Sequence, residues 1–268
     1  MALGIVPVLL LLSSGALVGL TLGLIGGGGS VLAVPLLVYL VGVPSPHVAI
    51  GTAAVAVALN AATNLATHAR LGTVKWPCAL VFSAAGIAGA FAGASLGKMI
   101  GGTELLALFG AIMIAVGVYM VAAHPKNTGH DVRLTPETAA RLLPRLVAIG
   151  AGVGLLSGFF GIGGGFLIVP GLVLATGMAL QNAIGTSLLA VTAFGVTTAT
   201  SYTASGLVDW RLAAIVIVGG IVGGVMGTRA NVLLAGHKRA LATIFASMVI
   251  IVGLYVVASG VMQLFAFG

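Results

Sequence analysis

Two glycine-dense stretches hold the strongest candidates for chemistry: Gly26, Gly27, Gly28, Gly29 and Ser30 in one, and Gly161, Ile162, Gly163, Gly164 and Gly165 in the other. Each runs straight into a short apolar stretch that carries a proline, Pro35 or Pro170. Glycine lets the backbone approach a ligand closely. The first N–H groups of a helix lack partners within it, and together with the helix dipole they favour an anion. The same small residues also serve close helix packing, as in GxxxG contacts. A second set lies in a polar helical run that begins at Gly51 and Thr52 and continues through Asn60, Thr63 and Asn64. Its counterpart begins at Gly185, Thr186 and Ser187 and carries Thr192, Thr197, Thr198 and Ser201. Residues 60, 63 and 64 share one helical face. Neutral donors on such a face suit an anion that must be held and then released; interhelical hydrogen bonding is their other common use.

Other chemistries find little support. The acidic residues Glu104, Asp131, Glu137 and Asp209 all sit away from the middles of apolar runs, so no buried carboxylate is placed to couple sodium or protons. His47 and His68 lie at run edges without a spaced His, Cys or carboxylate partner, which makes them interfacial residues, with His47 a candidate for proton coupling. Cys78 is the lone cysteine, so neither an intramolecular disulfide nor a cysteine metal cluster can be built. No nucleophile and base are paired as an intramembrane hydrolase requires. The Gly161-Ile162-Gly163 stretch follows no strand, which removes a nucleotide loop. The reading is therefore not an enzyme, with no cofactor and no metal.

The elements that must position these residues are membrane helices. Of 268 residues, 60% are hydrophobic and 6% charged, with mean hydropathy +1.25, which leaves too little polar surface for a soluble globule. The net charge of +7 falls in the short gaps between apolar runs, where it signals orientation and not nucleic-acid binding. The first run, Ile5 to Leu24, lacks a basic leader and reads as a span in place of a cleaved signal.

The chain repeats itself. Gly23 to Pro35 aligns with Gly158 to Pro170 at an offset of 135, Ala49-Ile-Gly51-Thr52 with Ala183-Ile-Gly185-Thr186 and Gly72-Thr-Val-Lys-Trp76 with Gly206-Leu-Val-Asp-Trp210 at 134, and Gly117-Val-Tyr119 with Gly253-Leu-Tyr255 at 136. Each half holds five apolar runs. Two approach the roughly 20 residues that a crossing needs, whereas the second, bearing Pro35 or Pro170, has the look of a broken helix. The organisation is a first repeat over 1–124, a polar connector over 125–143 and a second repeat over 144–268. Gly86, Gly89 and Gly93 match Gly220, Gly223 and Gly227 at helical spacing, and packing is their expected role. Trp76 and Trp210 begin the fourth runs as headgroup-level anchors.

Basic residues set the orientation. In the first half Arg70 and Lys75 precede the fourth run and only Lys98 follows it; in the second, only Arg211 precedes it and Arg229, Lys238 and Arg239 follow. If positive residues mark the cytoplasm, the halves insert upside down relative to each other. The connector, with Lys126, Arg133, Arg141 and Arg145, is then cytoplasmic and both termini lie outside. Ten crossings satisfy these charges, and so do six with two re-entrant hairpins made of runs two and three. The fold class is an all-α polytopic membrane protein with two inverted-topology repeats, a plan recurrent among secondary transporters.

The paired glycine segments ending at Pro35 and Pro170, the Gly-Thr pairs at 51–52 and 185–186 and the Gly-x-Val-x-Trp stretches at 72–76 and 206–210 resemble the sulfite exporter TauE/SafE family over nearly the whole chain. The resemblance implies an inner-membrane, multi-pass exporter of small sulfur-containing anions such as sulfite or organosulfonates. Substrate contacts are then expected from Gly26, Gly27, Gly28, Gly29, Ser30, Gly51, Thr52, Asn60 and Asn64, and from Gly161, Gly163, Gly164, Gly165, Gly185, Thr186 and Ser187. Ser30 stands where the second repeat has Gly165, so the site is expected to be asymmetric. A passive channel for small anions or neutral solutes is the alternative. The partners are the anion and the bilayer, with homo-oligomerisation left open. Reporter fusions check the orientation: GFP inserted in the connector is expected to fluoresce, and alkaline phosphatase at the C-terminus to be active, with the reverse pattern overturning it.

Overall fold

The computed structural model describes residues 4–122, 136–161 and 165–233, together with 243, 246, 247 and 249–259. The described residues form helices and no strand. They are α1 (Ile5–Ile25), α3 (Pro46–Arg70), α4 (Trp76–Gly97), α5 (Gly102–Ala122), α6 (Pro136–Phe160), α7 (Gly165–Thr176), α8 (Leu180–Ala204) and α9 (Trp210–Leu233), with α10 over Val249–Ser259. Between α1 and α3 lies α2, a broken helix made of a 3-10 stretch (Gly26–Leu32), one α turn (Ala33–Pro35) and a π turn (Leu36–Leu40). Pro35 supplies no N–H at the break, and the next turn widens so that Val41 N donates to Leu36 O at 3.0 Å.

Among the described residues, six helices, three in each half, are long and apolar enough to cross a membrane: α1, α3, α4, α6, α8 and α9. That is one more in each half than the apolar runs suggest, because the helices extend past the apolar residues into capped ends. Helix α3 covers 25 residues, from Pro46 behind the Ser45 cap to Arg70, where the apolar run is Val48 to Ala66. Likewise α6 starts at Pro136, inside the polar connector. Trp76 and Trp210 begin α4 and α9 with exposed rings.

What joins the helices is close backbone contact. A Cβ placed on Gly15, Gly19 or Gly23 of α1 would strike backbone atoms of Val216, Gly220 or Gly224 of α9; one on Gly219, Gly223 or Gly227 would strike the carbonyls of Leu12, Ala16 or Leu20. The register rises on both helices together, so α1 and α9 are parallel. The same ladder joins α4 to α6, with Gly89, Gly93 and Gly97 against Ala151, Leu155 and Phe159, and Gly150, Gly154 and Gly158 against Phe82, Gly86 and Ala90. In lipid there is no hydrophobic drive between helices, and close van der Waals contact through small residues takes its place. The packing role expected of Gly86, Gly89, Gly93, Gly220, Gly223 and Gly227 is what the structure shows, and further glycines of the four helices share it.

Helix α3 joins the first pair, with Asn60 against Gly220, Asn64 against Gly224 and His68 bonded to Gly23 O. Helix α8 joins the second, with Phe194 against Gly86 and Ser201 bonded to Lys98. The fold is thus two groups of three parallel helices, α1–α3–α9 and α4–α6–α8, running antiparallel to each other with α3 against α8 at the centre. Each group mixes helices from both halves. Since α1 and α3 are parallel, α2 must carry the chain back from one end to the other, and α7 does the same in the second half. Gly19→Leu or Gly154→Leu is expected to abolish monodisperse protein in size-exclusion chromatography, whereas Gly152→Leu, where a Cβ meets nothing within 4 Å, is expected to leave the yield within about twofold of the unsubstituted chain.

Candidate functional site

The two glycine stretches meet at the centre. Gly26 leaves α1 with φ +71° and packs on Ile184 of α8; Gly161 leaves α6 with φ +67° and packs on Ile50 of α3. That left-handed φ is open to glycine and strained for other residues. Gly27 and Gly165 face each other, and a Cβ on Gly165 would collide with Gly27 O. Ser30 Oγ accepts from Gly165 N at 3.1 Å and donates to Gly27 O at 3.0 Å. Ser187 Oγ accepts from Gly27 N at 3.0 Å and donates to Ile184 O at 2.7 Å. Ser30 and Gly165 are counterparts in the repeat, so here two equivalent positions meet, and only one of them has room for a side chain. That steric rule gives the asymmetry expected at Ser30 its physical cause.

The structure therefore brings Gly26, Gly27, Ser30, Gly161, Gly165 and Ser187 together at the centre. Gly29 packs on Thr21 and Leu22 of α1, and Gly28 lies in the 3-10 stretch of α2. Gly163 and Gly164 lie outside the described residues. The N–H groups of Gly27 and Gly165 are held by serine hydroxyls, so an anion at those two donors would have to displace Ser187 or Ser30.

The Gly-Thr pairs do something else. Thr52 Oγ1 accepts from Asp209 N at 2.9 Å, and Thr186 Oγ1 accepts from Lys75 N at 3.0 Å. Gly51 makes room for Leu207 O, and Gly185 for Thr73. Each pair thus grips the turn before the third spanning helix of the opposite half, α9 or α4, and the two Gly-x-Val-x-Trp stretches are those turns. Thr63, Thr192 and Thr197 bond to carbonyls of their own helices, a common fate of threonine within a helix.

Asn60 is different. It sits near the middle of α3 with no exposed surface, against the backbone of Gly220, and neither its amide nitrogen nor its amide oxygen has a partner. One turn on, Asn64 Nδ2 donates to Asn60 O at 2.8 Å, and its Oδ1 accepts from Thr228 Oγ1 at 3.1 Å. Asn231 Nδ2 donates to Leu24 O, and Thr21 Oγ1 to Leu17 O and Val18 O. His68, expected at the interface, is instead 1% exposed. Its Nε2 lies 3.3 Å from Gly23 O and its Nδ1 3.1 Å from Thr73 Oγ1, because α1 and α3 end side by side and the free carbonyls at the end of α1 need donors.

Thr21, Thr228 and Asn231 are polar members of this cleft that the sequence reading passed over, and His68 is one that it placed at the interface. A signal existed for two of them: Thr228 and Asn231 continue the stripe of Gly220 and Gly224 at spacings of 4, 4 and 3. The equivalent cleft in the other group is mostly apolar. At an offset of 134, Asn60, Asn64 and His68 become Phe194, Thr198 and Tyr202, while Thr228 and Asn231 become Ala94 and Gly97. Phe194 stacks on Phe82 with centroids 6.3 Å apart. One cleft, α1–α3–α9, is thus lined by neutral amides and hydroxyls without a carboxylate, and its mirror is filled by rings. Among the described residues, no group of three His, Cys, Asp or Glu side chains converges on a point.

The comparisons with known proteins agree with this architecture. The profile of the family described as "Sulfite exporter TauE/SafE" matches residues 11–256. A probable membrane transporter protein of Xylella fastidiosa (strain Temecula1) is 48% identical over 249 residues, 92% of this chain and 93% of its own length. The probable membrane transporter protein YunE of Bacillus subtilis is 27% identical over 264 residues, 92% of this chain and 96% of its own. A probable membrane transporter protein of Haemophilus influenzae is 30% identical, covering 74% of this chain and 75% of its own. No solved structure matches the chain. With a family profile spanning nearly all of its length, on a helical membrane architecture of duplicated design, the chain belongs to the sulfite exporter TauE/SafE family of membrane transporters.

Proposed function

We propose that the chain is a secondary transporter that carries a small sulfur-containing anion, such as sulfite or an organosulfonate, out across the inner membrane. The observation that carries this reading is Asn60. A buried polar group without a partner costs about 1–3 kcal/mol, and Asn60 presents two such atoms in the middle of a spanning helix. A ligand that the amide recognises would remove that cost. The amide N–H suits an oxyanion, and the hydroxyls of Ser30 and Ser187 at the glycine centre can turn toward the same guest. The absence of a fixed cation or carboxylate from the polar cleft suits a weakly held anion that must leave again.

The antiparallel groups α1–α3–α9 and α4–α6–α8 are the units that rock in this reading, and the contact of Gly27 with Gly165 is the point about which they pivot. In this reading the broken helix α2 and the short continuous helix α7, which begins at Gly165, change partner as the groups move. No bond of the substrate is made or broken in the cycle.

Thermal unfolding of the detergent-purified chain in the presence of sulfite, thiosulfate, sulfate, sulfoacetate or taurine checks the anion. At a hundredfold excess over the dissociation constant, a ligand specific to the folded state adds about 2.7 kcal/mol. Asn60→Leu is expected to keep or raise the melting temperature of the free protein, yet lower affinity about tenfold or more. In proteoliposomes the flux is expected to saturate and to be accelerated by anion on the far side; conductance that does not saturate would establish a channel instead.

A further inference from the structure

A second cluster of polar side chains stands away from the glycine centre, at the opposite end of the fold from Arg70 and Arg229. Lys98 follows the last turn of α4 and reaches α8, where its ammonium donates to Ser201 Oγ at 3.0 Å, Ser205 Oγ at 3.0 Å and Ser201 O at 3.2 Å. It also lies 5.8 Å from the centroid of the Tyr202 ring. Every one of these partners is neutral. Of the acidic residues at this end, Glu104 is exposed and makes no ion pair with Lys98, and Asp209 Oδ1 is spent accepting from Arg211 N and Leu212 N.

Two further atoms of the cluster have no partner. Tyr202 is 0% exposed, and its hydroxyl is unbonded. The His47 ring lies 6.5 Å from the Tyr202 ring, centroid to centroid. Its Nε2 is 3.1 Å from Ile100 O. A carbonyl only accepts, so Nε2 carries a proton, and the lone pair of the imidazole form then stands at Nδ1, which is buried and unpartnered. The cluster is not repeated by its counterparts, since at an offset of 134 Lys98, Tyr202 and His47 become Val232, His68 and Gln181.

We infer that Lys98, Tyr202 and His47 form an oxyanion-binding station at one mouth of the transport route. Lys98 supplies the charge and the Tyr202 hydroxyl a donor. Nδ1 of His47 accepts from the acid O–H of a hydrogen oxyanion such as hydrogensulfite. Ser201 and Ser205, now bonded to Lys98, rotate to share the guest. The station rests on the proposal that the chain carries an anion, and adds a second site to the central one. By the distribution of basic residues this mouth faces away from the cytoplasm, which makes it the last stop of an exported anion.

Equilibrium dialysis of radiolabelled sulfite against the full chain in phosphate-free dodecyl maltoside tests it by stoichiometry. The unsubstituted chain is expected to bind two sulfite ions, Lys98→Gln one, Asn60→Leu one and Lys98→Arg two. Tyr202→Phe removes a hydroxyl that bonds to nothing, so it is expected to keep or raise the melting temperature while weakening the outer site about fivefold. It serves in place of Lys98→Gln should that variant fail to fold. If the chain binds one sulfite and neither Lys98→Gln nor Tyr202→Phe alters it, the station is overturned while the central reading stands. If Lys98→Gln loses all binding and Asn60→Leu loses none, the station stands and the central reading falls. No binding by the unsubstituted chain overturns both. Displacement of the Lys98-dependent sulfite by added phosphatidylglycerol would assign the cluster to a lipid headgroup and overturn the station.

Discussion

Everything in this fold depends on how closely two helix backbones can approach in a medium that gives apolar side chains no reason to leave it. The glycine ladders between α1 and α9 and between α4 and α6 meet that constraint with backbone against backbone, leaving no room for side chains between the helices. A close approach multiplies weak dispersion contacts. The Gly-Thr pairs add fixed registration, because Thr52 and Thr186 each hold one turn of the opposite half by a single hydrogen bond. These contacts bind the halves to each other, and the glycine stretches at the centre can be irregular because the ladders on either side are not.

Duplication explains the symmetry of the scaffold, and sterics explain where the symmetry fails. A residue on a pseudo-two-fold axis meets its own counterpart, and two side chains cannot occupy one place. Ser30 with Gly165 is the clearest instance. The divergence away from the axis has a different character. Asn60 against Phe194, and His68 against Tyr202, leave one cleft polar and its mirror aromatic. The two clefts therefore differ in chemistry although repeated halves build them.

Much of the fold was legible in the sequence. The repeats, the helices and the break at Pro35 follow from hydropathy, offsets and the chemistry of proline, and the ladder glycines announced themselves by helical spacing; the break expected at Pro170 is absent, because Pro170 sits inside the continuous helix α7. The Gly-Thr pairs were legible as a motif but not as a function. Thr52 looks equally fit to bind a solute or a backbone N–H, and only the crossing of the halves brings Asp209 N to it. His68 reads as interfacial because it lies at the edge of the apolar run Val48 to Ala66, yet the end of α1 covers it. Partners supplied by the other half, more than a hundred residues away, leave no local trace. Lys98 shows the same limit, for its place in the orientation signal gave no hint of Tyr202 or His47 nearby.

The interleaving of the two groups bears on how the chain is made. Helix α1 is synthesised roughly two hundred residues before α9, its main partner, so at ribosomal rates of about 5–20 residues per second it waits on the order of ten seconds or more without its ladder. During that interval its glycine face is open to lipid or to an insertion factor, and α4 waits likewise, though more briefly, for α6. The first half cannot settle into its final packing while it is alone, so assembly is completed only once the second half has entered the bilayer. The two repeats thus behave as a dimer tied into one chain would, with neither finished until both are present.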